Sequence, residues 1–424
     1  MKMQCAPAVL RGTVQAIPSK SDAHRKLICA AVSGNGGFLP LRAPHCADIL
    51  ATMRCLTALG AKITQAENGV YVKPVTRQAH AALDCGESGS TLRFLLPVAM
   101  AVCADISVTG AGRLPERPIS ALTDAMSAHG VQFAQTSLPL NAQGTLTGGV
   151  YEIAGNISSQ FLSGLLMALP LCEADSEIRL TTPLQSSAYV DMTLDTLREF
   201  GAEIKVYTEN GLLRYAVKGG QTLRTPENLT VDGDWSNAAF WLTAGAVLPD
   251  SEITVTGLSL HSVQGDKAIF DILKRAGAKI TADGNAVSVS CGTLPAFSAE
   301  MEEIPDLLPI LAVRAAYGKG SSAFTKAERL RIKESDRLKA AAEMLRALGI
   351  SAEEQPDGLT VTGGQIHGGT VNGMNDHRMV MAAAVAALGA DAPVTVTDAE
   401  AVNKSYPGFF LDYRSLGGIA EPIA

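Results

Sequence analysis

The sequence predicts a two-domain α/β protein built from six copies of one supersecondary unit, three to a domain. Three observations carry this reading. The chain has 424 residues, more than one hydrophobic core usually organises. A helix–Gly–strand–turn–strand pattern recurs six times at nearly constant spacing. Six further helical stretches are strongly apolar, yet each begins with polar residues.

The length argument is supported by composition. Hydrophobic residues make up 47% and charged residues 18%, which suits large buried surfaces and argues against disorder. Aromatic residues are 5%, so the core is aliphatic. The start MKMQCAPAVLRGTVQAIPSK has no long apolar run, so no secretory signal is expected, and no stretch approaches the roughly 18 apolar residues of a spanning helix. The eight cysteines form no C-x-x-C pair and have no histidines at zinc-finger spacing; reduced, buried thiols in a cytoplasmic protein are expected, with no metal. The formal net charge of −7 makes nucleic acid an unsuitable partner. A site for anions would then need basic residues concentrated locally.

The repeat is marked by a glycine after a helical stretch, at Gly60, Gly130, Gly201, Gly277, Gly349 and Gly417, with successive separations of 70, 71, 76, 72 and 68 residues. Glycine just past the last turn takes the left-handed conformation that other residues resist. The following ENG, DGN and PDG steps supply left-handed turn residues between hairpin strands. The sixth copy, DYRSLGGIAEPIA, is truncated, and the N-terminal strand LRGTVQAI is expected to complete it. That makes the domains 20–231 and 1–19 plus 232–424, joined by hinges near 18–20 and 231–234.

The second set of helices starts at PSKSDAHRKL, CGESGSTLRFL, GNISSQFLSGLL, DGDWSNAAFWL, EIPDLLPIL and MNDHRMVMAA. Buried helices whose N-termini face one cleft would present partly positive ends to an anion. Capping alone explains any single one of these starts. Six copies with basic residues added point to a binding role.

Particular side chains sharpen that role. Lys20 and Arg25, with Ser21 between them, place two cations against the dipole of the first core helix, which argues for an intervening anion. Gly86 to Arg93 is a glycine-rich turn into a helix, permitting close backbone approach. Arg117 precedes a proline that favours extended backbone. Ser158, Ser159 and Gln160 offer two hydroxyls and an amide at a helix start. Arg329, Arg331, Lys333, Glu334, Asp336 and Arg337 fall within nine residues. Lys333 and Arg337 are expected to share a helix face, with Glu334 beside them for proton transfer. His377, Arg378 and Lys404 add further cations. Asp306 opens an otherwise apolar helix, as an N-cap or as an acid–base group of perturbed proton affinity.

The runs SKSxxxR, GxSGSTLR, ERPI, SSQFLSGLLM, IPD, RIKESDRL, NDHRM and NKSYPGF, in this order between about residues 17 and 410, resemble those of the EPSP synthases (5-enolpyruvylshikimate-3-phosphate synthases) in the enolpyruvyl transferase family. The resemblance implies an α/β (α+β) two-domain inside-out α/β barrel of six βαβαββ repeats. It implies a transferase joining shikimate-3-phosphate and phosphoenolpyruvate (PEP), with no cofactor. By motif, Lys20, Ser21, Arg25, Ser158, Ser159, Gln160, Ser186, Tyr189, Asp306 and Lys333 resemble the shikimate-3-phosphate contacts. Lys20, Gly89, Arg117, Gln160, Arg337, His377, Arg378 and Lys404 resemble the PEP contacts. Asp306 resembles the base for the 5-hydroxyl and Glu334 the acid that protonates PEP, with Lys20 at the attacking oxygen or the phosphate. Family members are usually monomeric.

Two residues depart from the pattern: Glu87 stands where many members have Asn, and Phe94 where many have Pro, both assigned to the turn that shapes the PEP pocket. In the family this sequence resembles, a small residue at the position of Gly89 goes with inhibition by glyphosate, so the resemblance implies sensitivity here. Two alternatives predict other residues. A UDP-N-acetylglucosamine enolpyruvyl transferase would carry a Cys in the GAGRLPERPIS loop and Asn after Lys20, and a non-catalytic anion-binding relative would have lost Lys20, Asp306 or Glu334. This sequence fits neither.

Overall fold

The computed structural model describes residues 1–423. The chain divides into two compact units, Lys20–Val231 and Met1–Ser19 with Asp232–Ala424. Each has its own aliphatic core.

Each repeat contributes two helices. In chain order they are α1 (Lys20–Val32) and α2 (Ala47–Ala58), α3 (Gly89–Val102) and α4 (Ser120–Ser127), α5 (Ser159–Ala168) and α6 (Ser187–Glu199), α7 (Trp235–Val247) and α8 (Ile269–Arg275), α9 (Leu308–Ala316) and α10 (Arg337–Ala347), and α11 (His377–Ala386) and α12 (Phe409–Ser415). The odd-numbered helices are the apolar ones and are buried along nearly their whole length. Close approach among them depends on small residues. A Cβ on Gly164 of α5 would lie 2.3 Å from the Arg93 carbonyl of α3, so only glycine permits this contact.

The even-numbered helices end at the marker glycines. All six are left-handed, with φ between +82° and +97°. An L-residue with a Cβ resists that conformation, so glycine spacing and repeat spacing coincide. The hairpin turns are less uniform than expected. Asn210–Gly211 and Gly284 are left-handed, whereas the turns at 67–69 and 356–358 contain no left-handed residue.

The third repeat shows the full unit. Val150–Ile153 runs parallel to Ser176–Leu180 across α5; after α6, the hairpin Ile204–Glu209/Leu212–Val217 adds antiparallel strands, giving a βαβαββ order. The same arrangement recurs in the second and fifth repeats.

The ends of the chain depart from the sequence expectation. Strand β1 (Lys2–Ala6) pairs with Ile419–Ile423 and Val394–Val396 and so completes the sixth repeat. Strand β2 (Arg11–Gln15), the LRGTVQAI segment, instead lies parallel to Glu252–Thr256 and opens the fourth repeat. A parallel pair needs a crossover. After β2 the chain leaves at Ser19, builds the whole of Lys20–Val231, and returns at Asp232 to enter α7, the crossover helix. The exit and return strands are joined where Ser19 N–H donates to the Asp232 carbonyl (2.7 Å) and Asp234 N–H to the Ile17 carbonyl (2.9 Å).

Candidate active site

In the unit containing the C-terminus, the starts of α9, α10 and α11 bring six charged groups together. Asp306 is the centre. It does not cap α9, whose N-terminus has no side-chain cap. It lies in a 3-10 turn, Pro305–Leu307, and faces cations instead. Its Oδ1 accepts from Arg337 Nη1 at 2.6 Å and lies 3.6 Å from Lys333 Nζ, while its Oδ2 accepts from Arg378 Nη2 at 3.0 Å.

Arg337, only 1% exposed, is held on every side: Nη2 donates to Glu334 at 2.8 Å and Nε to Asp376 Oδ2 at 2.8 Å. Asp376 is fully buried and also accepts from Ser335 Oγ (2.9 Å) and from Arg378 N–H (3.0 Å), capping α11. His377 stands beside it, with Nδ1 3.8 Å away. Lys404 Nζ donates to the Asn375 carbonyl at 2.5 Å, at the same helix start.

Lys333 and Arg337 do not share a helix face. Lys333 has extended backbone after the 3-10 turn Glu328–Ile332, and α10 begins only at Arg337, capped by Asp336. Their convergence comes from Asp306, which both reach.

The cluster is charge-balanced. Lys333, Arg337 and Arg378 meet Asp306, Glu334 and Asp376, so cations concentrated in sequence arrive with an equal number of carboxylates. Burial alone would raise the Asp306 carboxyl, but Arg378, Lys333 and Arg337 outweigh it and hold it well below the usual range. Buried Asp266 goes the other way. Burial, then the charge of Asp306, push it up to about 7, against the charge of Arg378 and a hydrogen bond from Ser236. Two neighbouring carboxyl groups thus favour opposite protonation states.

The other unit gathers a second set. Lys20 opens α1, and the anion opposite it is internal: Asp48 of α2, 2.8 Å away. Arg25 is buried and directed at α5 and α6, donating to Thr193 Oγ1 (2.7 Å), the Tyr189 carbonyl (2.7 Å) and Ser163 Oγ (3.4 Å), and back to the Ser21 carbonyl (2.6 Å). Ser158 caps α5 through Gln160 N–H, with Ser159 buried beside it. Gln160 ties α5 to α3, accepting from Arg93 (2.7 Å) and donating to Ser90 (2.9 Å). Ser186 precedes α6 in a left-handed conformation, φ +56°, without capping it. Gly89 opens α3 against Arg117, and a Cβ there would sit 2.7 Å from Arg117 Nη1. Arg117 has the extended backbone expected before Pro118.

The chain matches the model of the family described as EPSP synthase (3-phosphoshikimate 1-carboxyvinyltransferase) over residues 5–412. It is 39% identical over 427 residues to the 3-phosphoshikimate 1-carboxyvinyltransferase of Clostridium perfringens strain ATCC 13124, covering 99% of each chain. The enzyme of that name from Clostridium kluyveri is 39% identical over 417 residues, covering 97% of this chain and 96% of its own. The chain belongs to the EPSP synthase family. EPSP synthase from Acinetobacter baumannii has the same fold, with TM-score 0.82 at 24% identity over 99% of this chain and all of its own. The enolpyruvyl transferase NikO of Streptomyces tendae also shares it, with TM-score 0.79 at 18% identity over 99% and 98% of the two chains.

Within this family member, Phe94 is not on the turn as expected. It lies in the second turn of α3, buried under Arg25, whose guanidinium is 4.8 Å from the ring centroid. Glu87 does lie on the turn, beside Gly112. Motif reading missed Asp48, Arg93 and Asp376 as groups that hold the binding residues, and it missed the raised carboxyl of Asp266. Asp376 and Arg93 stand inside quoted motifs, so their positions were available. Asp48 and Asp266 carry no local signal.

Proposed function

We propose that this chain transfers the enolpyruvyl group of PEP to the 5-hydroxyl of shikimate-3-phosphate, releasing phosphate. The observation that carries this reading is the Asp306 cluster, in a chain of the EPSP synthase family that retains Lys20, Asp306 and Glu334. Asp306 is the base for the 5-hydroxyl and Glu334 protonates the PEP methylene carbon. The oxygen attacks the resulting cationic carbon, giving a tetrahedral adduct. Loss of phosphate and of a methyl proton then restores the double bond.

Arg337, Arg378, Lys404, His377, Arg117, Gly89, Gln160 and Lys20 hold PEP. Lys20, Ser21, Arg25, Ser158, Ser159, Gln160, Ser186, Tyr189, Asp306 and Lys333 hold shikimate-3-phosphate. The Lys20–Val231 unit binds mainly shikimate-3-phosphate and the other supplies catalytic and PEP-binding groups, with the connections at 18–20 and 231–234 as hinges. Fixed cations stabilise the charge that develops on phosphate and carboxylate, the largest contribution such sites usually make. The internal carboxylates serve a second purpose: they hold Arg337 and Arg378 in place before an anion arrives, so little reorganisation is left for the reaction.

The protein works as a cytoplasmic monomer and is inhibited by glyphosate in competition with PEP. No helix among the described residues is long and apolar enough to cross a membrane. Phosphate release from shikimate-3-phosphate plus PEP, followed by a coupled assay, tests the reaction. Absence of release would refute it.

A further inference from the structure

Beneath the start of α3 runs a buried chain of hydrogen bonds that the reaction itself does not require. His24 of α1 lies fully buried, its Nδ1 2.8 Å from Thr52 Oγ1 of α2. Thr52 Oγ1 is 2.8 Å from Thr91 Oγ1 of α3. Thr91 Oγ1 donates to Ser88 Oγ at 2.8 Å, with the Asp48 carbonyl a second acceptor at 3.3 Å. Ser88 Oγ also accepts from Thr91 N–H at 3.2 Å and is the N-cap of α3.

The direction of this chain follows from its ends. His24 Nε2 is buried and has no partner. A buried N–H without an acceptor costs more than an idle lone pair, so the proton sits on Nδ1. Burial first, then Lys20 and Arg25, keep the ring neutral. Nδ1–H therefore donates to Thr52, Thr52 to Thr91, and Thr91 to Ser88. Ser88 Oγ receives two donors and keeps its own proton to give at the helix start, where the N–H groups of Gly89 and Ser90 have no partner within the helix.

We infer that His24 is a positioning residue: through Thr52 and Thr91 it orients the Ser88 cap, and with it the Gly89 end of α3 that receives the PEP anion. This rests on the proposed reaction for its ligand, but the chain itself is testable without it. His24→Leu removes the donor. Thr52→Val removes the middle hydroxyl at nearly constant shape. His24→Asn restores a donor, because the Asn amide nitrogen takes the place of Nδ1.

Two measurements are made on the full chain: amide hydrogen exchange over 86–92 and steady-state kinetics with each substrate. Faster exchange in that segment is expected for His24→Leu and Thr52→Val, and wild-type exchange for His24→Asn. KM for PEP should rise roughly fivefold in the first two variants, the equivalent of one lost cap hydrogen bond. KM for shikimate-3-phosphate and kcat should stay within about twofold of wild type. If His24→Leu does not fold, Thr52→Val decides. Unchanged exchange, equal rises in both KM values, or failure of His24→Asn to restore would overturn the inference. If the wild type releases no phosphate, the functional reading falls while exchange still decides the chain.

Discussion

Asp376→Asn isolates the charge of one buried carboxylate. Asn keeps the volume and is as good an N-cap as Asp, so α11 keeps its start. What is lost is the negative partner of Arg337 Nε at 2.8 Å and Nη2 at 3.3 Å, between groups 0% and 1% exposed. Removing one side of a buried pair costs about 3–5 kcal/mol. Arg337 keeps Glu334 and Asp306, so the lower end, about 3 kcal/mol, is the expected loss at neutral pH.

Trp235 and Trp241 are the only tryptophans and both lie buried in this unit, so their fluorescence reports its unfolding. The urea midpoint should fall by about 1 M or more, given ordinary m values. The difference should also depend on pH. Burial raises the Asp376 carboxyl, but Arg337 and then His377 bring the folded value below 3.8. A depressed acid contributes its stability above its unfolded pKa and loses it as pH falls through the folded value. Wild type and variant should therefore differ fully at pH 6 and converge below pH 3.8. A loss under about 1 kcal/mol at pH 6, or one that stays constant to pH 3, would refute the assignment of Asp376 as the charge that holds Arg337.

Other outcomes follow from the same geometry. Asp306→Ala and Glu334→Ala should each lower kcat by about 10²–10⁴ while calorimetry shows shikimate-3-phosphate binding much less affected. Asp266→Asn should stabilise the protein at pH 8 by up to about 4 kcal/mol, because a raised carboxyl loses stability as pH climbs toward its folded value of about 7; the gain should vanish near pH 4 in thermal melts. Gly89→Ala meets only the flexible end of Arg117, so Tm should hold while KM for PEP and the glyphosate inhibition constant both rise, roughly tenfold or less. A wild-type inhibition pattern not competitive with PEP would remove glyphosate from this pocket.

Local features were legible in the sequence because they depend on backbone geometry within a few residues. The six marker glycines had to be left-handed wherever a helix ended before a strand. The apolar core helices had to start at polar residues, and Ser88, Ser158, Asp234 and Asp376 do cap them. The run of Lys333, Glu334 and Arg337 and the pair His377–Arg378 were equally visible, each as a motif of its own.

What only the tertiary structure decided is which distant groups meet. Only β2 reads as a strand in the sequence, and nothing local tells it to open the fourth repeat while β1 closes the sixth. That choice belongs to sheet partners more than 200 residues away. Asp306 could have capped α9, but three cations from other elements outweigh one backbone N–H. Lys20 could have stood without a carboxylate beside it, but Asp48 of α2 pairs with it at 2.8 Å. Charge pairing and burial are properties of the neighbours a side chain acquires. The sequence therefore determined the repeat, its glycines and the chemistry-bearing residues, while folding set their protonation and their partners.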